Sequence, residues 1–144
     1  MKTTEVIDGI FRLSANVDDI LFESIWPIPH GVSMNSYIVK GEKAAIVDGV
    51  CDWDGVPDTL YEQLDQMKID INDIDYVIMN HLEPDHSGWF DSFLKLRSDV
   101  TVIASQKGAD LVKYFYGYEG DVRTVKHGDT LDLGDGRVLM FAEI

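Results

Sequence analysis

The chain holds a single cysteine, Cys51, among 144 residues, so it can form no internal disulfide and build no thiolate-rich metal cluster. Cys51 then reads as a small apolar side chain in a reducing compartment. Basic residues are scarce as well: 12 Lys plus Arg against 26 Asp plus Glu give a formal net charge of −14. That sign opposes the phosphate neutralisation behind nucleic-acid binding and the attraction to anionic lipid, which excludes both as partners. No apolar run approaches the roughly 20 residues that span a bilayer. The opening Met1-Lys2-Thr3-Thr4-Glu5 lacks the apolar stretch of a secretory leader, so a cytoplasmic location is expected. Internal repeats, low-complexity tracts and linkers are also missing, leaving residues 1–144 as one domain. With 45% apolar and 26% charged residues, such a chain has the means to bury its own core.

Short β-prone stretches at Thr4 to Leu13 and Ile20 to Ile25, with turns at Gly9 and Asp18-Asp19, predict an opening meander. Met34 to Val39 and Ala44 to Val47 continue it across the turn Lys40-Gly41-Glu42-Lys43. The period then changes: Val56, Leu60, Leu64 and Met67 share one face of an amphipathic helix. Tyr76-Val77-Ile78-Met79 is a short, nearly all-apolar run, the pattern of a strand covered on both faces. Phe90, Phe93, Leu94 and Arg97 resume helical spacing, and Val100 to Ala104 is another strand. Ser105 is placed to cap a helix that ends near Gly117. Val122 to Lys126, Thr130 to Leu133 and Arg137 to Glu143 read as closing strands. This mixture of strands and helices predicts a layered α/β or α+β sandwich.

The densest chemistry follows the buried strand. His81-Leu82-Glu83-Pro84-Asp85-His86 sets four metal-ligand side chains into six residues at a strand's carboxyl end. In extended backbone alternate side chains share a face, so His81, Glu83 and Asp85 can converge. Pro84 holds Glu83 out of the helical region, and a turn after it would swing His86 toward a second ion. Imidazole with hard carboxylate and no thiolate suits iron, manganese or zinc, and two carboxylates offset the charge of an oxidised metal, which favours iron. The plainer alternative has Asp85 or Ser87 capping the next helix while His81 and Glu83 make ordinary loop hydrogen bonds.

At these residues the sequence resembles the flavodiiron proteins, which reduce dioxygen or nitric oxide at a non-haem di-iron site in a metallo-β-lactamase-like domain. The segment Asp73-Ile74-Asp75-Tyr76-Val77-Ile78-Met79-Asn80-His81-Leu82-Glu83-Pro84-Asp85-His86-Ser87-Gly88 carries most of the likeness. His30-Gly31-Val32-Ser33-Met34-Asn35-Ser36-Tyr37, Ile46-Val47-Asp48 and Val125-Lys126-His127-Gly128-Asp129-Thr130-Leu131 follow the family's order. Glu83 is the most specific element, because hydrolytic relatives carry His-x-His-x-Asp-His at this place. The resemblance implies an α+β fold, the first half of an αββα sandwich with a mixed sheet and flanking helices. It implies that His81 and Glu83 bind one iron and Asp85 the other, with His86 a direct ligand or a water-linked neighbour.

The family's next histidine, bridging aspartate and last histidine are not among these residues, and neither is the flavodoxin-like domain that carries FMN. Weak metal binding by the chain alone is therefore expected, with self-association or a complementary chain completing the sandwich and a flavodoxin-like domain or rubredoxin donating electrons. A zinc-dependent hydrolase of the same fold and a non-catalytic partner-binding half-domain are the competing readings.

Other candidates have plainer roles. His30 beside Gly31 and His127 before Gly128-Asp129 read as turn residues, His30 with a smaller chance of lining the site. Trp26, Trp89, Tyr114, Phe115, Tyr116 and Tyr118 read mainly as core, with Trp89 the one aromatic placed to form a cofactor surface. Asp48, after an apolar strand, either supports a metal ligand or makes a turn.

Overall fold

The computed structural model describes residues 3–18, 21–22, 25–50 and 58–143. Cys51 and Val56 lie outside the described residues. In chain order the strands are β1 Thr4–Ile7, β2 Ile10–Val17, β3 Leu21–Phe22, β4 Trp26–Pro27, β5 Val32–Lys40, β6 Ala44–Val47, β7 Ile74–Met79, β8 Thr101–Ala104, β9 Val122–Thr124, β10 Thr130–Asp132 and β11 Val138–Met140. The helices are α1 Asp58–Gln66, α2 Pro84–Ser87, α3 Phe90–Leu96 and α4 Gln106–Tyr116. Seven strands form one mixed sheet in the order β1-β2-β5-β6-β7-β8-β9. It is antiparallel from β1 to β6 and parallel from β6 to β9.

The parallel strands show why their sequence runs apolar without a break. Ala44, Ile46, Val77, Met79, Val102 and Ala104 point to one face, where they meet Leu60 and Leu64 of α1, Phe90 and Phe93 of α3 and Val112 of α4. Their neighbours Ala45, Ile78 and Ile103 point to the other face and pack against Leu131 and Leu133, at the β10–β11 hairpin. Both faces are covered, so each strand residue contributes burial. Phe90 and Phe93, each 0% exposed, contribute about 2–3 kcal/mol apiece to burying the helix layer.

Local signals act as expected at α4, where the Ser105 hydroxyl accepts from Gly108 N–H at 3.1 Å and Gly117, at φ 59°, ends the helix. On α1 Leu60 and Leu64 lie on the anticipated buried face and Met67 falls just past the helix end, while the buried residues include one that the apolar spacing passes over. Gln63 is 0% exposed, accepting from Ser14 N–H at 2.9 Å and donating to Ser14 O at 3.1 Å. Its amide substitutes for a neighbouring strand where β2 runs on beyond its pairing with β1, which ends at Arg12.

Several expected strands are shorter than their sequence patterns. The stretch from Ile20 to Ile25 gives only the two-residue pairing of β3 with β4, and residues 20, 23 and 24 lie outside the described residues. β9 stops at Thr124 because its partner β8 stops at Ala104. β11 ends at Met140 because β10, its partner, starts only after the turn at His127-Gly128. Among the described residues no helix is long and apolar enough to cross a membrane.

Candidate metal centre

Parallel pairing of Val47 with Ile78 brings the carboxyl ends of β6 and β7 side by side. Asp48 follows β6 in the left-handed region at φ 54°, a conformation aspartate tolerates better than most residues. Its N–H donates to Ile78 O at 2.8 Å. Its nearly buried carboxylate accepts from Asn80 N–H at 2.8 Å and from the Asn80 side chain at 3.1 Å. Asp48 thereby fixes the backbone that leads into His81.

His81 stands between two carboxylates. Its Nδ1 is 3.9 Å from Asp48 Oδ2 and its Nε2 is 3.9 Å from Glu83 Oε2. These spacings are too long for hydrogen bonds. The His81 side chain is 42% exposed and that of Glu83 78%, so the pair is open to solvent on one side. The His86 ring lies against that of His81, with centroids 4.7 Å apart and planes tilted by 46°.

The extended geometry expected for the whole cluster holds only as far as Glu83. That residue has φ −70° and ψ 140°, as a residue before proline should. Pro84, however, opens α2, because its fixed φ suits the first position of a helix and its missing N–H costs nothing there. Glu83 O then accepts from the N–H groups of His86 and Ser87, each at 3.0 Å, and from the Ser87 hydroxyl at 3.0 Å. Asp85 and His86 thus ride on a helical turn rather than alternating with Glu83. The Asp85 side chain lies outside the described residues. Side-chain capping by Ser87 does not occur either: Trp89 occupies the N-cap of α3, with no side-chain cap hydrogen bond.

Two donor atoms that bind one ion at about 2.1 Å each stand no more than about 4.2 Å apart. The 3.9 Å between His81 Nε2 and Glu83 Oε2 falls inside that limit. An imidazole nitrogen and a carboxylate oxygen are also donors that iron or zinc accepts. Among the described residues no group of three His, Cys, Asp or Glu side chains is close enough to hold an ion. The pair therefore fits a metal as part of its coordination shell.

The remaining candidates separate cleanly. His30 and His127 are exposed in turns, the first beside the Gly31 N–H bond to Ile28 O at 2.8 Å and the second before Gly128, at φ 87°. Trp26, Tyr114 and Phe115 are exposed rather than core. Trp89 is 0% exposed, which removes it as a cofactor surface.

Three contacts of the ligand-bearing turn escaped the sequence reading. Gly49 N–H and Trp89 Nε1–H both donate to His86 O, at 3.1 and 2.8 Å. Tyr116, at the end of α4, places its hydroxyl 2.6 Å from Ser87 Oγ. Only the tertiary fold joins residues 87 and 116, and no local pattern announces the link.

Residues 32–143 match the model of a family described as "ODP family beta lactamase". Over 146 aligned residues the chain is 38% identical to the flavo-diiron protein FprA2 of Clostridium acetobutylicum, covering 99% of this chain and 35% of that one. It is 33% identical to the anaerobic nitric oxide reductase flavorubredoxin of Vibrio vulnificus, covering 78% of this chain and 22% of the relative. Among solved structures it superposes with a TM-score of 0.83 on rubredoxin oxygen:oxidoreductase of Desulfovibrio gigas, at 29% identity over 99% of this chain and 35% of the other. The chain thus spans about a third or less of the length of these relatives.

Proposed function

The chain belongs to the ODP beta-lactamase family and shares the metallo-β-lactamase-like fold of flavodiiron proteins, and from this we propose that it supplies part of a non-haem di-iron centre that reduces dioxygen or nitric oxide. The observation that carries the reading is Glu83, which stands where a hydrolytic relative would have histidine and lies 3.9 Å from His81 Nε2. In this reading His81 and Glu83 hold one iron, Asp85 holds the second, and His86 is a direct ligand or a neighbour linked through water. Bound iron would supply the reversible electron acceptor that the chain's own side chains lack.

Asp48 lies toward the Nδ1 side of His81, so closing that 3.9 Å gap on metal binding would fix the tautomer that leaves Nε2 as the donor. Glu83 brings negative charge, which favours an oxidised ion and offsets part of the desolvation of its positive charge. In this reading His81, Glu83, Asp85 and His86 supply only part of the coordination shell, and further side chains complete it. Electrons arrive from FMN on a flavodoxin-like domain or from a rubredoxin, in the cytoplasm.

Anaerobic titration of the purified chain with iron(II), followed by elemental analysis, tests the assignment. Iron retained by the parent chain and reduced at least about tenfold in His81→Ala and Glu83→Ala is the expected result. Iron that stays unchanged in both variants rules out this ligand set. Preferential zinc uptake together with ester or lactam hydrolysis would move the chain to the hydrolases.

A further inference from the structure

The helical turn Pro84–Ser87 bears Asp85 and His86, yet four residues form too short a helix to hold its own orientation. Its fixing comes from three other places in the fold. Gly49, just past β6, and Trp89, at the start of α3, both donate to His86 O. Tyr116, from the last turn of α4, meets the Ser87 hydroxyl, which itself donates to Glu83 O. Trp89 is fully buried, with its ring edge-on to Phe93 at 5.1 Å between centroids. Position 49 has to be glycine for this to work, because a Cβ there would lie 1.9 Å from Trp89 Nε1.

We infer that Trp89 and Tyr116 are positioning residues of the metal-ligand turn: their polar atoms, carried on a rigid aromatic core, set the direction in which His86 presents its ring beside His81. The relevance to metal binding rests on the di-iron reading above, whereas the positioning itself is a property of the metal-free chain. A buried indole N–H needs an acceptor wherever it sits, and here the acceptor is the backbone of the ligand-bearing turn rather than a side chain free to move. Here the indole N–H and the phenol each reach the same four-residue turn, one at either end of His86-Ser87.

Trp89→Phe and Tyr116→Phe keep an aromatic ring and remove the polar atom. Ile103→Ala, on the opposite sheet face, serves as the control for general loosening. In the metal-free chain the imidazole NMR resonances of His86 should shift, and the magnetisation transfer between the His81 and His86 rings should weaken, in both phenylalanine variants. The control should leave both signals in place, and the resonances of His30 and His127 should move in none of the three. Cobalt(II), used as a spectroscopic probe, should then bind about tenfold more weakly to Trp89→Phe than to the parent.

Unmoved His86 signals in both phenylalanine variants, or equal movement in the control, would overturn the inference. Should Trp89→Phe fail to fold, Tyr116→Phe decides the question, because it removes one oxygen from a half-buried side chain. Absence of cobalt binding by the parent chain would sink the metal-centre reading and leave the ring signals to decide the positioning.

Discussion

The two ends of the parallel strands use similar side chains in opposite ways. At the amino end the charges meet partners: Lys40 Nζ lies 3.7 Å from Asp73, Arg97 Nε lies 2.9 Å from Asp99, and Asp75 accepts from Ala44 N–H at 2.9 Å. Lys43 Nζ reaches the Tyr76 hydroxyl at 3.2 Å, and that contact, with nearby carboxylates, raises the lysine pKa above 10.5. At the carboxyl end Asp48 and Glu83 flank an imidazole at 3.9 Å, and among the described residues no lysine or arginine pairs with either. Among the described residues one end pairs its charges within the chain, while the other sets two carboxylates about an imidazole. Ligand sites in sheets of this kind lie outside the carboxyl ends of parallel strands, which is where Asp48, His81 and Glu83 stand.

If the contrast is correct, damage at the carboxyl end should strike structure and metal together. The largest effect is expected from Gly49→Ala. The added methyl would sit 1.9 Å from Trp89 Nε1 and force the indole off the His86 carbonyl. Overpacking plus a lost hydrogen bond should cost about 3 kcal/mol in urea unfolding. An unchanged midpoint would mean that the end is soft and the clamp unnecessary. Asp48→Ala comes next, at about 2 kcal/mol, because it strands the Asn80 N–H that the carboxylate satisfies. It should also weaken metal binding, whereas Asp48→Asn should keep most of the stability and lose mainly the metal effect. At the amino end Asp75→Asn retains an acceptor for Ala44 N–H and should cost under about 1 kcal/mol, with metal binding untouched.

The same contrast explains what the sequence made legible. The run from Tyr76 to Met79 announced a doubly covered strand because burial on both faces is written into consecutive residues, and the strand begins two residues earlier, at Ile74. The Ser105 cap and the Gly117 stop of α4 were readable because each acts within one helical turn. At the candidate site, the closeness of His81 to Glu83 follows from the extended backbone between them, which is equally local. The extended chain expected through Asp85 gives way to a helical turn because Pro84 carries two signals. It bars helix from Glu83 and admits helix from itself onward, and the second signal governs after the first. The contacts of Gln63, Gly49 and Tyr116 were beyond reach, since their partners at Ser14, His86 and Ser87 lie far along the chain, and the indole bond of Trp89 to His86 O depends on the turn between α2 and α3. Gln63 can satisfy both backbone groups of Ser14 because its amide carries a donor and an acceptor together.

The smallest effect sharpens the contrast by pH. Arg97 is held by Ile71 O at 2.6 Å and donates to Asp99 at 2.9 Å, which lowers the Asp99 pKa below its ordinary 3.8. A carboxyl depressed in the folded chain favours folding above its unfolded pKa, and that contribution fades as pH falls through the folded value. Asp99 is largely exposed and solvent screens the pair, so the effect should be slight. Denaturant midpoints measured at pH 6 and pH 3 should therefore differ a little less in Asp99→Asn than in the parent, while Asp70, likewise depressed by its bonds to Asn72, contributes equally in both proteins. An equal difference in both proteins would show that the amino-end pairing is too loose to register, and the neutralised end would then owe its order to burial alone.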